Sequence, residues 1–240
     1  MNVFITGGNS GLGKALAEHY LQHGHRVATC SRTPSENHSN QSQHFCIDVK
    51  NIDSLKEAMM EFSNGELDLV IASAGIDIRK KTKIPNFDVA RENITTNLIG
   101  VINTFDAALS QMLSQKKGQL LAISSVAGMV GLPGTGAYCA SKSAINTLCE
   151  SYSIDLKSYG ITVTCILPGF IDTPMTASNT YPMPFLLSAE KAAKLIYRAQ
   201  QKKKTIYIFP WPLKYIMLCL QKMPRFLYRF VISLKNNAID

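Results

Sequence analysis

Along much of the chain, short runs of hydrophobic residues alternate with longer segments in which hydrophobic and polar positions follow helical spacing. Strand-like apolar runs end near Thr6, Cys30, Ile47, Ser73, Ser124 and Leu167. Apolar residues three and four positions apart predict helices over residues 11–23, 52–63, 87–115, 137–159 and 189–201. Asp53 is the expected N-cap of the second helix.

This order of elements predicts an α/β fold. Strands that alternate with helices pair in parallel, because each helix carries the chain back to the start of the next strand. The expected architecture is one domain with a doubly wound, Rossmann-like parallel sheet, whose ligands bind outside the carboxyl ends of the strands. A chain of 240 residues with 46% hydrophobic content can bury the core that such a domain needs. Residues 33–43 are polar and predict a surface loop.

The C-terminal segment has a different pattern. Residues 1–204 are expected to carry the cofactor and active sites, and residues 205–240 a last strand (205–209) and an apolar, basic helical tail. The tail's apolar runs, 213–223 and 224–234, are shorter than the roughly 18–20 residues that cross a bilayer. Two interpretations remain: residues 205–235 lie in a membrane interface, or the tail covers the substrate mouth or a second subunit. Two prolines and dispersed cations favour the first.

Charge and cysteine content narrow the class of protein. The formal net charge is +8, but many of the cations lie in the apolar tail rather than on one face of the core, which argues against nucleic-acid binding. The six cysteines are scattered without CxxC pairs and indicate free core thiols, with no metal site. The first strand begins at once, with no basic leader, so we expect a cytoplasmic protein, working at the inner face of a membrane if the tail is interfacial.

The sequence TGGNSGLG occupies residues 6–13, directly after the first strand and at the start of the first helix. Glycines there permit a tight turn and let backbone N–H groups approach a pyrophosphate at the helix N-terminus. The alternative is an ordinary strand-to-helix turn. The position of the motif at the first βα junction favours a dinucleotide-binding site. The candidate cofactor residues are Gly7, Asn9, Ser10, Gly11, Leu12 and Gly13.

The second strand ends in Ser31 and Arg32, without the carboxylate that would bind the ribose 2′-hydroxyl of NAD. A guanidinium pairs well with a 2′-phosphate, so NADP(H) is predicted over NAD(H) unless Arg32 is only a solvated loop residue. Asp48 and Val49 close the third strand. The Asp48 carboxylate could accept from the adenine amino group, and a helix-start aspartate is an equally good interpretation.

Tyr138 and Lys142 lie four residues apart on a predicted helix, so both project from one face. A tyrosine has an ordinary pKa of ~10, and a cation within ~4–6 Å can lower an acid's pKa by ~1–3 units. Ser125, at the end of the predicted strand 118–125, could polarise a substrate oxygen as the proton moves. The alternative for Tyr138 and Lys142 is a simple pair on an amphipathic helix.

With these motifs the chain resembles the short-chain dehydrogenases/reductases. The matching pieces are residues 6–13, Asn97-Leu98-Ile99-Gly100, residues 123–128 (ISSVAG), residues 138–142 (YCASK), and Pro168-Gly169 followed by Thr173. They stand in the family's order and spacing over residues 1 to about 175. The family normally has Asn-Asn-Ala-Gly where this chain has Ala72-Ser73-Ala74-Gly75, so hydrogen bonds from two amides are lost.

The resemblance implies a role for each matching residue. Tyr138 would be the general acid in reduction and the general base in oxidation, and Lys142 would bind the nicotinamide ribose and lower the tyrosine pKa. Ser125 would hydrogen-bond the carbonyl, and Asn97 would hold a relay water, unless its amide only satisfies backbone groups. Cofactor contacts would also come from Ala74, Gly75, Pro168, Gly169 and Thr173. Family members commonly pair through their long helices, so a homo-oligomer is expected.

The segment 173–185 lies where similar enzymes cover their substrate. Its methionines, Tyr181 and Phe185 indicate an apolar ligand, although the segment is equally consistent with a connector that packs on the core. The predicted function is an NADP(H)-dependent oxidoreductase that reduces a small hydrophobic carbonyl or oxidises the corresponding alcohol. The alternatives are an NADP(H)-binding redox sensor or scaffold without catalysis and, less favoured at this length, an epimerase or dehydratase.

Overall fold

The strands of the sheet run parallel because, after nearly every strand, a helix returns the chain to the end of the sheet where the strands begin. The computed structural model describes residues 1–35, 42–78, 84–177, 179 and 181–237, and the side chains up to residue 233. Its strands are β1 (Asn2–Thr6), β2 (Arg26–Ser31), β3 (Ser42–Cys46), β4 (Leu69–Ala72), β5 (Gly118–Ile123), β6 (Ile161–Pro168), β7 (Ile171–Asp172), β8 (Leu187–Ser188) and β9 (Ile206–Phe209). Its helices are α1 (Gly11–Gln22), α2 (Ile52–Ser63), α3 (Phe87–Ile94), α4 (Gly100–Gln115), α5 (Gly136–Asp155), α6 (Ala189–Gln201), α7 (Trp211–Lys222) and α8 (Arg225–Asn237).

The central sheet has seven parallel strands in the order β3-β2-β1-β4-β5-β6-β9. The strand order reverses between β1 and β4, and a sheet of this kind opens a crevice at that point beyond the carboxyl ends of its strands. The predicted single-domain, doubly wound, Rossmann-like fold is therefore confirmed. A two-stranded sheet, β7 and β8, lies on the path from β6 to α6.

Successive side chains of β1 point to opposite faces of the sheet and enter two separate hydrophobic cores. Val3 and Ile5 pack with the apolar face of α1 and α6, whereas Phe4 packs with residues of α2, α4 and α5 on the other side. All three side chains are fully buried. Because β1 is covered on both faces, it is a continuous apolar run rather than an alternating one.

Three local predictions were wrong. Residues 87–115 form α3, a π-helical turn at Thr95–Ile99 and α4 rather than one regular helix. The N-cap of α2 is Asn51, whose side chain accepts a hydrogen bond from the Ser54 amide, and Asp53 lies in the first turn. Cys46 and Cys219 are exposed, while the other four cysteines are buried as expected. Part of the predicted 33–43 loop, residues 36–41, lies outside the described residues.

The C-terminal segment completes the sheet and then covers one of its faces. β9 pairs with β6, and Leu213, Met217 and Tyr228 are buried in the core cluster that contains Phe4. The Tyr228 hydroxyl donates a hydrogen bond to the carbonyl of Gly131. Within the described ranges, every helix falls short of the length and apolarity that crossing a bilayer requires.

Candidate active site

A cleft of about 400 Å³ lies at the carboxyl ends of the central strands. It is lined by all but one of the residues predicted to bind cofactor or act in catalysis: Gly7, Asn9, Ser10, Gly11, Leu12, Gly13, Arg32, Asp48, Val49, Ala74, Gly75, Ser125, Tyr138, Lys142, Pro168, Gly169 and Thr173. The exception, Asn97, is fully buried beside the cleft. Residues scattered over the first 173 positions thus meet at the strand-order reversal of the sheet, where the fold favours a ligand.

The glycine-rich turn between β1 and α1 forms one wall of the cleft. Gly7 has a φ of 71°, and a Cβ added to it would lie 2.7 Å from the Ala74 Cα atom. At Gly13 an added Cβ would lie 2.2 Å from the carbonyl oxygen of Gly7. Side chains are therefore excluded at these two positions of the turn, and the backbone cradle at the N-terminus of α1 fits a pyrophosphate.

The β2 end of the cleft carries the groups predicted to distinguish the two nucleotides. Arg32 is exposed and lines the cleft next to Ser31. Asp48 lies in front of α2 without capping it, and its carboxylate accepts a hydrogen bond from the Lys50 amide at 3.0 Å. The Asn9 side chain donates to the Thr33 hydroxyl at 2.9 Å and so joins the glycine-rich turn to the segment after β2. Residues of this end can therefore reach the adenosine part of a dinucleotide.

Tyr138 and Lys142 project from α5 toward the same part of the cleft. The Lys142 Nζ atom lies 5.6 Å from the centre of the Tyr138 ring and donates to the Ile123 carbonyl at 2.8 Å. Burial lowers the pKa of Lys142 to about 8, and the charges of Cys165 and Asp77 act in the opposite direction. A buried ammonium loses the water that would stabilise its charge, so its pKa falls. Residues with shifted pKa values of this kind are frequent at functional sites.

Ser125 follows β5 and begins a 3₁₀ turn. β5 ends at Ile123, two residues before the predicted end of the strand, and the Ser125 oxygen accepts a hydrogen bond from the Ala127 amide at 3.1 Å. With its lone pair engaged in this way, the hydroxyl can direct its own proton toward a ligand oxygen. The neighbouring Ser124 hydroxyl donates to the Lys142 carbonyl at 3.0 Å and fixes α5 against the end of β5.

Asn97 holds the loop after β4. Its oxygen accepts from the Ile76 amide at 2.8 Å, and its nitrogen donates to the Ile76 carbonyl at 2.9 Å and to the Ser141 hydroxyl at 3.1 Å. A Cβ on Gly75 would lie 3.3 Å from the Asn97 oxygen and 3.7 Å from Lys142 Nζ. The side chain of Asn97 thus satisfies backbone groups, and it lies in the π-helical turn that interrupts the predicted long helix.

Thr6 supplies contacts that the sequence analysis did not assign. Its hydroxyl oxygen lies 3.2 Å from the amides of Ser73 and Ala74 and accepts from both. These bonds tie β1 to the end of β4, where the two amide side chains typical of the family are missing. Thr6 begins the glycine-rich motif, but its type alone does not show toward which strand its hydroxyl points.

The loop expected to cover a substrate contributes less to the cleft than its composition predicted. Pro174, Met175 and Thr176 line the cleft, and the Tyr181 ring lies 6.1 Å from that of Phe170. Ser178 and Thr180 lie outside the described residues. Of the methionine and aromatic side chains on which the prediction of an apolar ligand rested, Met175 lines the cleft, and it is exposed.

Comparison with known proteins agrees with this geometry. Residues 1–183 match the family model of the short chain dehydrogenases. An uncharacterised oxidoreductase of Myxococcus xanthus is 35% identical over 220 residues, which are 87% of each chain. A 3-ketodihydrosphingosine reductase of Bacteroides thetaiotaomicron is 32% identical over 72% of this chain and 65% of its own. The 3-oxoacyl-[acyl-carrier-protein] reductase FabG of Staphylococcus aureus is 32% identical over 73% of this chain and 76% of its own.

The fold also recurs among solved structures. A short chain dehydrogenase from Burkholderia cenocepacia J2315, in complex with NADP, superposes with a TM-score of 0.85 and 22% identity, covering 96% of this chain and 97% of its own. ElxO with NADP bound gives a TM-score of 0.76 at 24% identity, covering 86% and 96%. At this level of identity the superpositions establish the architecture.

Proposed function

The chain belongs to the short chain dehydrogenase family, and on that basis we propose that it is an NADP(H)-dependent reductase of hydrophobic carbonyl compounds with Tyr138 as its general acid. The observation that carries the proposal is the convergence of Tyr138, Lys142 and Ser125 on the cleft that the glycine-rich turn also lines. A phenol, an ammonium and a hydroxyl at one end of a dinucleotide cradle form the set of groups that carbonyl reduction needs.

In the proposed reaction Ser125 donates a hydrogen bond to the substrate carbonyl oxygen, and Tyr138 gives that oxygen its phenolic proton. The hydride that the carbonyl carbon receives would come from NADPH held at the glycine-rich turn. The alcohol leaves, and the tyrosinate that remains is stabilised by the Lys142 ammonium until solvent returns a proton. Oxidation of the alcohol follows the same steps in reverse, with Tyr138 as the base.

Asn97 has a modified role in this proposal. The side-chain amide of Asn97 is already hydrogen-bonded to Ile76 and Ser141. We therefore propose that main-chain atoms of the π-helical turn, rather than this side chain, hold the relay water. A π turn displaces carbonyl groups from the regular helical hydrogen-bond ladder, and such turns are frequent at functional sites. The Asn97 side chain then positions Gly75 and α5 around that water.

We further propose that Arg32 selects NADP(H) over NAD(H). The two solved structures described above contain NADP, and in this chain the β2 end of the cleft carries Ser31 and Arg32 where a carboxylate would favour NAD. Asp48 and Val49 would then border the adenine, and Pro168, Gly169 and Thr173 the nicotinamide end. A forked guanidinium can hold a 2′-phosphate through two charge-assisted hydrogen bonds.

Replacing Arg32 by alanine is expected to raise the KM for NADPH by about 10–100-fold and to leave the KM for NADH within about twofold, because only NADPH carries the 2′-phosphate. Steady-state kinetics with both cofactors measure the effect. Arg91→Ala is the matched control, since Arg91 is an exposed arginine outside the cleft lining. Equal losses with both cofactors would show that Arg32 does not read the phosphate.

The substrate class is proposed from the cleft and from the relatives. The names of the Bacteroides thetaiotaomicron and Staphylococcus aureus relatives both denote reductases of a 3-oxo compound. In this chain Met175, Pro174 and Ile171 provide apolar surface at the cleft wall. We therefore propose a ketone on an aliphatic chain, reduced in the cytoplasm by a homo-oligomer that pairs through α4 and α5.

Purified protein is expected to oxidise NADPH with aliphatic 3-oxo thioesters or long-chain ketones, and to prefer them to short, charged keto acids by at least about tenfold in kcat/KM, since each buried methylene favours binding. Absorbance of NADPH follows the reaction. Tight NADPH binding without turnover on any carbonyl would replace this proposal with the redox sensor or scaffold. Turnover of charged keto acids at an equal rate would contradict the substrate class.

A further inference from the structure

The outward faces of α7 and α8 expose large aromatic side chains. Trp211 is 72% exposed, Phe226 77% and Phe230 60%. Tyr215 is 58% exposed, and its ring lies 6.4 Å from that of Trp211. Aromatic residues of this size are rarely left in water as a group unless the surface has a partner.

Helical spacing places these side chains away from the protein. On α7, Leu213 and Met217 point into the core, whereas Trp211, Tyr215 and Lys222 lie on the opposite face. On α8, Tyr228 is buried and bonded to Gly131, while Phe226 and Phe230 are outward. Each helix is therefore anchored by one stripe and leaves a second, aromatic stripe uncovered. We call these two stripes the tail face.

The charge of the same helices is of one sign. Residues 205–237 contain five cations (Lys214, Lys222, Arg225, Arg229 and Lys235) and no aspartate or glutamate. Within the described part of the chain, none of the first four forms an ion pair with a carboxylate. Lys214 lies over the Tyr215 ring and Arg225 over the Tyr228 ring. The tail face thus joins exposed aromatic groups with cations for which the described residues provide no ion-pair partner.

We propose that the tail face binds the surface of an anionic phospholipid bilayer, with α7 and α8 lying in the headgroup layer. Tryptophan, tyrosine and phenylalanine bury their rings at this depth, while lysine and arginine extend to the lipid phosphates. A second copy of the chain fits poorly, because a symmetric interface would bring two such cationic patches together. The binding step does not depend on the proposed reaction.

The docked stripes of α7 and α8 lie next to the substrate end of the cleft. α7 packs on Gly169, where an added Cβ would meet Leu213 at 2.5 Å, and Gly169 lines the cleft. Tyr228 of α8 holds Gly131, which follows the turn that Ser125 begins. The tail face is on the opposite side of the same two helices, so a bilayer bound there would be separated from the cleft wall by about one helix diameter, roughly 10 Å.

The test uses the full-length protein and its own fluorescence, since Trp211 is the sole tryptophan of the chain. Vesicles of phosphatidylcholine and phosphatidylglycerol in equal parts are expected to shift the Trp211 emission to shorter wavelength and to bind the protein in flotation. Pure phosphatidylcholine vesicles are expected to bind at least about tenfold more weakly, and high salt to weaken the anionic binding. These comparisons need no variant and so cannot fail through misfolding.

Two double variants and their matched controls locate the contact. Lys222→Glu with Arg229→Glu is expected to weaken anionic vesicle binding at least about thirtyfold, and Phe226→Ser with Phe230→Ser at least about tenfold, both retaining the Trp211 probe. The controls are Lys157→Glu with Lys191→Glu, and Met60→Ser with Phe87→Ser, which change exposed residues elsewhere on the surface. Control variants should bind as the parent does.

Three outcomes would overturn the proposal. The first is an unshifted Trp211 emission with anionic vesicles, and the second is equal weakening by control and tail variants. The third is a tail variant that dissociates an oligomer in sedimentation velocity while vesicle binding is absent, which would assign the tail face to a second copy of the chain. Failure of the carbonyl reductase assay would leave the vesicle result untouched, so the two proposals can be judged separately.

Discussion

Replacement of Tyr138 by phenylalanine is expected to lower kcat for carbonyl reduction by about 10²–10⁴-fold while the Kd for NADPH stays within about twofold. The substitution removes the phenolic proton and keeps the ring, so the packing of α5 and the cleft volume change little. Tyr138 is partly exposed at the cleft, and the Lys142 ammonium lies 5.6 Å from its ring centre. Loss of the proton donor therefore acts on the chemical step rather than on the fold.

The matched control is Tyr152→Phe. Tyr152 lies on the same helix, is partly buried against the core and is outside the cleft lining. Its loss of a hydroxyl should leave kcat within about twofold, because surface and packing changes of this size act on stability instead. A Tyr138→Phe enzyme with the activity of the parent would remove Tyr138 from the reaction. Residual activity of the variant that rises as the pH falls would indicate that a solvent acid donates the proton in its place.

The fold could be predicted from the sequence because its signals are local and repeated. The apolar runs of β1, β4 and β6 are buried on both faces of the sheet, and their predicted ends lie within one residue of those in the structure. The break in the predicted helix 87–115 could not be predicted in the same way. The π turn at Thr95–Ile99 contains no Gly or Pro that would mark it in the sequence, and the hydrogen bond that Asn97 accepts there from Ile76 is a tertiary contact without a local signal.

The candidate site was predictable where residue type itself carries chemistry. The glycines of residues 6–13 have the spacing that the turn of a βα unit needs, and Tyr138 and Lys142 have the four-residue spacing of one helix face. Both sets of residues meet at the cleft. Thr6 and Ser124 are different, since a hydroxyl in an apolar run has no spacing signal, and only the register of neighbouring strands brings Thr6 to the amides of Ser73 and Ala74. For the tail, the composition predicted an apolar, basic helical segment, and the structure has two helices there. Its division into a docked and an exposed stripe could not be predicted, because that depends on the packing of Leu213 and Tyr228.

Lys142→Met is expected to lower kcat/KM by at least about 10²-fold and yet to stabilise the cofactor-free protein near pH 7. Burial lowers the pKa of Lys142 from 10.5 to about 8, so holding the charged form in the folded protein is unfavourable by about 3 kcal/mol. Methionine has similar length and no charge. The variant also loses the Lys142 hydrogen bond to Ile123, a loss of about 1 kcal/mol, which leaves a net gain of about 2 kcal/mol.

The sign of this effect is expected to depend on pH. Below pH 8 Lys142 is protonated in both states, and the full penalty of its burial is present. Between pH 8 and 10.5 the unfolded chain binds more protons than the folded one, so the stability of the parent protein rises with pH while that of the variant does not. Above that window only the lost hydrogen bond remains, and the variant becomes the less stable protein by about 1 kcal/mol.

Urea unfolding of both proteins without cofactor at pH 7 and pH 10 measures the difference, with the exposed Lys157→Met as the control that should show none. A Lys142→Met protein destabilised equally at both pH values would mean that the ammonium is well solvated in the free enzyme. The expected loss of the variant's advantage between pH 7 and pH 10 would instead separate the two roles of Lys142. A group that destabilises the empty site while activity requires it is retained for the reaction and not for the fold.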